Sequence, residues 1–497
     1  MKKIIYSTLI FGLAVFIVTG CKKLEDFGDT NVNPETTKSP VTSALLTDVL
    51  SGIGGYFDLY NLNSSWANLY CQYISETYYP YASCYAVNAF SPMDNYSGAL
   101  YDLQNIIILN TNDDTKANAA LYGANVNQIA IARIFKAYIY WTITDRWGDV
   151  PYKDALKGDP IVNYDTQESI YKDLLKEITE AVAQFATGAP IKGDIVYNGD
   201  ISKWKKFANS LRMLMSLRLS KRYPLPTDFA AIQFKAALED AAGSISTNDD
   251  NFQLNYQGGQ FRNPYYNTYD GRTDFGESAT MTTLLGSLSK DQRQTVFGST
   301  ATGVPSTLGV PYGRDQSFIV SWCQANPAYC YVFHPDYRKQ TDPTYVITAS
   351  QVLLARTEAA DRGWTSETAN TKTLYQAGIT QSFLQWGLPA PDVTYFASNN
   401  IALPAAAGTG ANLEQIATQQ YVAFFPDGVQ GWSNWRRTNY PALTPAPDAT
   451  NTPKVIPRRY MYGTSDYALT KAGVDAAVAR MNGGDKMDSR VWWDKEE

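Results

Sequence analysis

Apolar residues recur at three- and four-residue steps through most of this chain. Between Ile129 and Asp145 (IAIARIFKAYIYWTITD), Ile131, Ile134, Phe135, Tyr138 and Trp141 fall on one stripe, as in a helix with one face in a core. Ile170, Leu174, Ile178, Val182 and Phe185 do the same from Gln167 to Phe185, after the turn residues of 163–166. From Ser202 to Ser220 the stripe is Trp204, Phe207, Leu211, Leu214 and Leu217, with Ser202 as the expected N-cap. The same reading predicts helices over 40–52, 64–76, 95–109, 227–242, 276–289, 348–361, 366–386 and 411–424.

These helices come in amphipathic pairs joined by turns. They predict a mostly all-α fold, a tetratricopeptide-like stack of helical hairpins, although no exact repeat of about 34 residues is visible. Regions 244–275, 290–347, 388–410 and 438–465 break the rhythm with Asn, Gly, Pro, Thr, Tyr and Ala. Long irregular insertions in a compact body tend to carry function, so these regions are expected to build a loop-rich ligand-binding face.

The start of the chain has a different pattern. Met1-Lys2-Lys3 is followed by an almost wholly apolar run from Ile4 to Val18, closed by Thr19-Gly20-Cys21. This is the order of a secretory signal, and its apolar run is short for a permanent span. Cys21 after Thr19-Gly20 resembles a bacterial lipobox, which predicts that residues 1–20 are removed and that Cys21 is acylated. Each buried CH₂ of the acyl chains adds roughly 0.8 kcal/mol of membrane affinity. Residues 21–40 then form a polar tether, and 41–497 a single body.

Composition narrows the classes. The chain has 497 residues, 44% hydrophobic and 18% charged, which describes a globular body. A net charge of −6 argues against nucleic acid as partner. The outlier is tyrosine, with 35 Tyr beside 11 Trp; such rings serve as core and as flat contact surface for sugar C–H faces or peptides. The single histidine, His334, excludes sites that need more than one, and its loop setting suggests a structural role. No cofactor is expected, and metal binding is not legible. Beyond Cys21, an even set of Cys71, Cys84, Cys323 and Cys330 in an exported chain predicts disulfides, with local pairing Cys71–Cys84 and Cys323–Cys330 preferred over the crossed alternatives.

Several segments resemble the SusD/RagB-like lipoproteins of Bacteroidetes. Ala130 to Tyr152 carries the helix that ends in Asp145-Arg146-Trp147-Gly148-Asp149-Val150-Pro151-Tyr152. The Tyr164–Tyr171 segment, the Trp204–Arg212 block with Arg218, Ile347 to Glu358, Pro426-Asp427-Gly428 through Trp435-Arg436-Arg437, and Ile456-Pro457-Arg458-Arg459 follow in order. Arg272-Thr273-Asp274-Phe275-Gly276 is similar to the SusD-like nutrient-binding branch, and Lys22 to Phe27 resembles that group's surface-export signal. The resemblance implies four tetratricopeptide-like helix pairs under a loop-rich face. It also implies nutrient capture at the outer membrane, on its outer side, as the lid of a SusC-like TonB-dependent barrel.

The motif residues themselves read as structural. Trp204, Asn209, Arg212 and Arg218 lie on an amphipathic helix, Asp145, Arg146 and Asp149 follow a helix end in a C-cap turn with an ion pair, and Glu358 lies near Arg356. Ligand contacts are expected instead from rings and amides on loops: Trp66, Tyr78, Tyr79 and Tyr81; Asn263, Tyr265 and Tyr266 within Phe261 to Tyr266; and Trp322. The expected activity is binding of a glycan or peptide without catalysis. A surface glycoside hydrolase is the alternative, for which Asp113-Asp114 and Asp249-Asp250 could be offered, but adjacent carboxylates point apart where a glycosidase needs two across a cleft. A helical scaffold that binds no ligand is the third reading.

Overall fold

The computed structural model describes residues 40–158 and 162–496. The signal segment, Cys21 and the expected tether up to residue 39 lie outside the described residues. From Thr42 onward the chain forms one unit built on helices α1 Thr42–Ser51, α2 Leu62–Tyr70, α3 Tyr101–Thr111, α4 Asn125–Trp147, α5 Gln167–Gln184, α6 Ile201–Arg218, α7 Phe229–Leu238, α8 Ala279–Ser287, α9 Gln316–Ala325, α10 Ala349–Asp361, α11 Thr371–Gln385, α12 Leu413–Phe424, α13 Gly428–Thr438 and α14 Lys471–Ala479. Neighbours pair in chain order: α3 with α4, α4 with α5, α5 with α6, α6 with α7, α10 with α11, and α12 with α13, while α6 also meets α10. This is the tetratricopeptide-like helical stack that the amphipathic pairs predict.

Local chemistry explains the helix starts. Thr166 caps α5 by accepting from Ser169 N at 3.3 Å. Thr348 and Gln351 form a reciprocal capping box at the start of α10. The cap of α6 is Asp200, which accepts from Ser202 N at 2.8 Å and Lys203 N at 3.2 Å; Ser202, the expected cap, lies inside the helix. Helix α4 is buried on almost every side, so its last turn holds Asp145 and Arg146 in the interior and does not precede them as expected.

Ten short strands pair two by two: β1 Ile74–Glu76, β2 Ala89–Phe90, β3 Val150–Pro151, β4 Tyr164–Asp165, β5 Phe252–Leu254, β6 Phe275–Glu277, β7 Gly298–Ser299, β8 Tyr331–Val332, β9 Thr344–Ile347 and β10 Met461–Tyr462. Strand β1 replaces the end of the helix predicted over 64–76. Gln72 takes a left-handed backbone (φ 58°) after α2, and Ile74, Ser75 and Glu76 then pair antiparallel with Glu277, Gly276 and Phe275 of β6. Helix α13 lies where two glycines argue against a helix. A Cβ at Gly428 would run into Asn68 of α2 and one at Gly431 into the ring of Tyr73, so both glycines let α13 cross closely.

The core is aromatic. Trp204 is fully buried, packs on Tyr197, Phe207 and Phe252 at 5.6–5.7 Å, and donates from Nε1 to Asp194 Oδ2 at 2.8 Å. Three of the buried carboxylates hold the stack together through several partners each. Asp145 accepts from Trp493 Nε1 at 2.8 Å and from the Tyr171 hydroxyl, with Arg218 Nε 3.5 Å away. Asp149 accepts from Gln167 N and Arg480 Nε. Glu358, read as structural, is met by Arg437 at 2.7 Å, Arg362 at 2.8 Å and Gln420 at 2.9 Å, while the nearby Arg356 pairs with Glu367.

The preferred disulfides do not form. Cys71, Cys84, Cys323 and Cys330 are free thiols, and three of them point at separate carbonyls: Cys71 at Asn68 O, Cys84 at Arg314 O and Cys330 at Ser306 O. Short loop spacing did not bring the sulfurs together.

A tyrosine-bearing loop face as candidate binding site

The β1–β6 ladder ends in a loop that carries the most exposed aromatic cluster among the expected contacts. Thr77 N donates to Asp274 O at 2.9 Å, carrying the pairing one residue past β1. The chain then turns through Tyr78, Tyr79, Pro80 and Tyr81, with Tyr81 N on Tyr79 O at 2.7 Å, Cys84 N on Pro80 O at 3.0 Å and Ala86 N on Tyr81 O at 2.8 Å. This tight turn aims the rings outward: Tyr78, Tyr79 and Tyr81 are 40%, 50% and 62% exposed. The Tyr79 and Tyr81 rings lie parallel within 9°, centroids 6.3 Å apart, and Tyr78 stands 6.4 Å from Tyr79. Three large rings left to water in one turn form a flat, amphipathic surface.

The loop rests on a firm base. Cys84 O accepts from Thr450 N at 2.8 Å, and the Tyr85 hydroxyl accepts from Ala446 N at 3.0 Å. Two arginines are linked to this loop, Arg314, whose carbonyl accepts from Cys84 Sγ at 3.4 Å, and Arg272, paired with Asp274 at the end of the ladder; these two and Arg262 each lie over a ring and pair with an aspartate. Arg272 lies 4.5 Å over Tyr60 and pairs with Asp274; Arg314 lies 3.6 Å over Phe318 and 2.8 Å from Asp448; Arg262 lies 5.2 Å over Tyr266 and 3.3 Å from Asp270. Burial, with Asp274 beside it, pushes the Tyr60 hydroxyl up to about 12, so it stays protonated and donates to Asp274 at 3.3 Å.

The remaining expected contacts divide by burial. Tyr266 and Trp322 are half-buried, Trp322 leaning on Tyr329 at 6.4 Å. Trp66, Asn263 and Tyr265 are buried. Trp66 packs edge-on against Phe90 at 5.0 Å, and Tyr265 against Phe333 at 4.9 Å. Asn263 caps the short helix Pro264–Thr268 through Tyr265 N and ties Nδ2 to Asp342 O. An aromatic beside an amide therefore marks a helix cap here. Tyr60, Phe318, Arg314 and Asp448 were not foreseen; Arg314 and Asp448 are 134 residues apart, and only the Arg272–Asp274 spacing carries a local signal.

Catalytic alternatives find no support in the carboxylate pairs. Asp250 is bound to Lys206 at 2.9 Å and Asp113 to Lys116, while Asp114 and Asp249 face solvent. His334 serves its own loop, with Nε2 3.0 Å from Gly303 O and Nδ1 accepting from Asp336 N. Among the described residues no group of three or more His, Cys, Asp or Glu could hold a metal, and no helix is long and apolar enough to cross a membrane. A cleft of about 520 Å³ opens elsewhere, between the start of α5 and the C-terminal segment, lined by Asp149, Arg222, Arg480 and Trp492.

A tetratricopeptide-like helical stack with its exposed rings on inserted loops defines a class of helical-repeat protein. Within it, the chain belongs to the SusD-like family, whose model, described as starch-binding and associating with the outer membrane, matches residues 33–463. Among solved structures, a chitin-binding protein is 27% identical, with TM-score 0.75 over 92% of this chain and 100% of its own. A chitin-binding SusD homologue from Flavobacterium johnsoniae (22% identity, TM-score 0.76, 92% and 99% covered) and a SusD homologue from Bacteroides uniformis (23%, 0.74, 92% and 100%) share the fold. A comparison with curated proteins gives no match.

Proposed function

We propose that this protein captures a neutral glycan on the Tyr78–Tyr79–Tyr81 face, without cleaving it, and delivers it to a SusC-like TonB-dependent barrel as its lid. The observation that carries the reading is the exposed, parallel Tyr79 and Tyr81 pair, with Arg272 and Arg314 beside the loop and their charges already met by aspartate. Flat rings accept the C–H faces of sugars, and a guanidinium has five N–H donors, so one paired with aspartate retains some for hydroxyls. Because each rim cation has its anion, the face selects hydroxyl-rich ligands over polyanions. The similar protein described as chitin-binding makes chito-oligosaccharides the first ligands to try, with malto-oligosaccharides next from the family description.

Attachment through acylated Cys21, with the body facing the cell exterior, completes the proposal; Cys21→Ala should release the protein from membranes. Calorimetry with chito-oligosaccharides, malto-oligosaccharides and peptides, followed by product analysis, tests the binding. Saturable binding of intact oligosaccharide supports it. Released fragments would favour a hydrolase, and peptide binding alone would replace the ligand class. Isolation of the native protein from membranes tests the lid: a large barrel should accompany it, and its absence in mild detergent would contradict that part.

A further inference from the structure

We infer that Glu76 is a positioning residue for the tyrosine face: its carboxyl group clasps the two ends of the loop that presents Tyr78, Tyr79 and Tyr81. The inference rests on the proposed binding face but concerns how that face is held. Glu76 is the last residue of β1, and Ser83 lies at the far end of the turn. Ser83 N and Ser83 Oγ donate to Glu76 Oε2 at 2.8 and 2.9 Å, and Ser83 Oγ lies 3.3 Å from Glu76 N, placed to accept from it. Residues 77–82, with all three exposed rings, are strung between these two anchors.

Among the described residues, no cation forms an ion pair with the acid of this clasp. The titratable groups that face Glu76 are Asp274 from the β6 side, Cys84 in its own loop, Tyr70 of α2 and Tyr312 from the segment before α9. Arg272 is engaged with Asp274, and Arg314 with Asp448. Burial therefore pushes the Glu76 carboxyl up to about 7, against the pull of its bonds from Ser83 and Ala82 and with a further push from Asp274.

The sign follows from linkage. An opened loop returns Glu76 to water and to its ordinary value of 4.5, so the closed loop binds the proton more tightly. The clasp is fully held below about 4.5, loosens as pH rises, and is weakest once pH has passed the folded value near 7. The buried carboxylate then favours opening, and the tyrosine face loses order. Glutamine at this position mimics the neutral acid and should hold the loop at every pH.

Amide exchange of residues 77–86, corrected for the intrinsic rate, reads the clasp without any ligand. In the full-length protein the opening of this loop should increase about tenfold or more between pH 5 and pH 8. Glu76→Gln should keep the acid-pH protection throughout. Ser83→Ala, a second variant that keeps the buried carboxyl but loses the hydroxyl of the clasp, should raise exchange already at pH 5 and keep a pH course, in contrast to Glu76→Gln. Chitohexaose affinity measured alongside should fall with rising pH in the wild type and stay level in Glu76→Gln. Equal pH courses in wild type and Glu76→Gln, or a flat course in the wild type, would overturn the inference. An exchange profile that follows Glu76 with an affinity that ignores it would uphold the clasp and refute the tyrosine face as binding site.

Discussion

Two carboxyl groups, Glu358 in the helical stack and Glu76 under the tyrosine loop, meet opposite surroundings. Burial would push Glu358 up, but Arg437 and Arg362 outweigh it and hold the group at about 2. Glu76 is also withdrawn from water, lacks any such partner, and rises to about 7. Around Glu358 the stack supplies Arg437 from α13 and Arg362 from the end of its own helix, so this contact is indifferent to pH over the neutral range. The loop face has its cations spent on the rim aspartates and leaves its anchoring acid adjustable. A rigid frame and a tunable face are thus written in the same side-chain chemistry, differing only in who stands beside the acid.

The largest expected effect lies in the frame. Trp204→Ala empties a site bounded by Tyr197, Phe207 and Phe252 and leaves Asp194 without its indole donor, which should cost about 3–5 kcal/mol in denaturant unfolding. The remaining folded protein should still bind glycan. A variant that melts like wild type but fails to bind would move Trp204 from frame to face.

Acid unfolding separates the two carboxyls next. Because the folded value of Glu358 is depressed from 4.5 to about 2, its stabilisation is complete above about 4.5 and disappears as pH falls through 2. That loss should be on the order of 3 kcal/mol, and it should shrink in Glu358→Gln, which is destabilised already at pH 7 because Arg437 is left buried without its anion. An unchanged acid transition in the variant would assign the acid sensitivity to other groups.

Replacing rings on either side of the boundary sharpens the contrast. Tyr265→Ala should behave as a core deletion and lower stability by several kcal/mol, on the order of other large-to-small changes. Tyr81→Ala should leave stability within about 0.5 kcal/mol and weaken glycan capture several-fold. Tyr81→Phe, which keeps the flat ring, should be the mildest change. Thermal melts and calorimetry on the three variants check the order.

What could be read from the chain follows from how local each cause is. The stripes of α4, α5 and α6 lie within single helices, so their periodicity predicts them closely, and the Trp204 core role with them. Helix α13 was hidden because Gly428 and Gly431 look like breakers until α2 is seen against them. Glu358 reads as structural from the chain, and its i+4 partner Arg362 is local, but Arg437 lies 79 residues away, beyond any spacing rule. At the face, Tyr78, Tyr79 and Tyr81 were legible only as rings on a loop, and the turn leaves all three exposed. Trp66, Asn263 and Tyr265 could not be told from contacts, because the same residues serve equally as core or cap. The clasp of Glu76 by Ser83 is short in sequence, yet only its burial reveals it.

The most direct test of the account is calorimetry of the Tyr79→Ala/Tyr81→Ala double variant against chito-oligosaccharides that the wild type binds, with a melt of the same sample. The account predicts affinity lowered by about tenfold or more, with the melting temperature essentially that of the wild type. Wild-type affinity in the double variant would contradict it and place the binding site on another part of the loop-rich side.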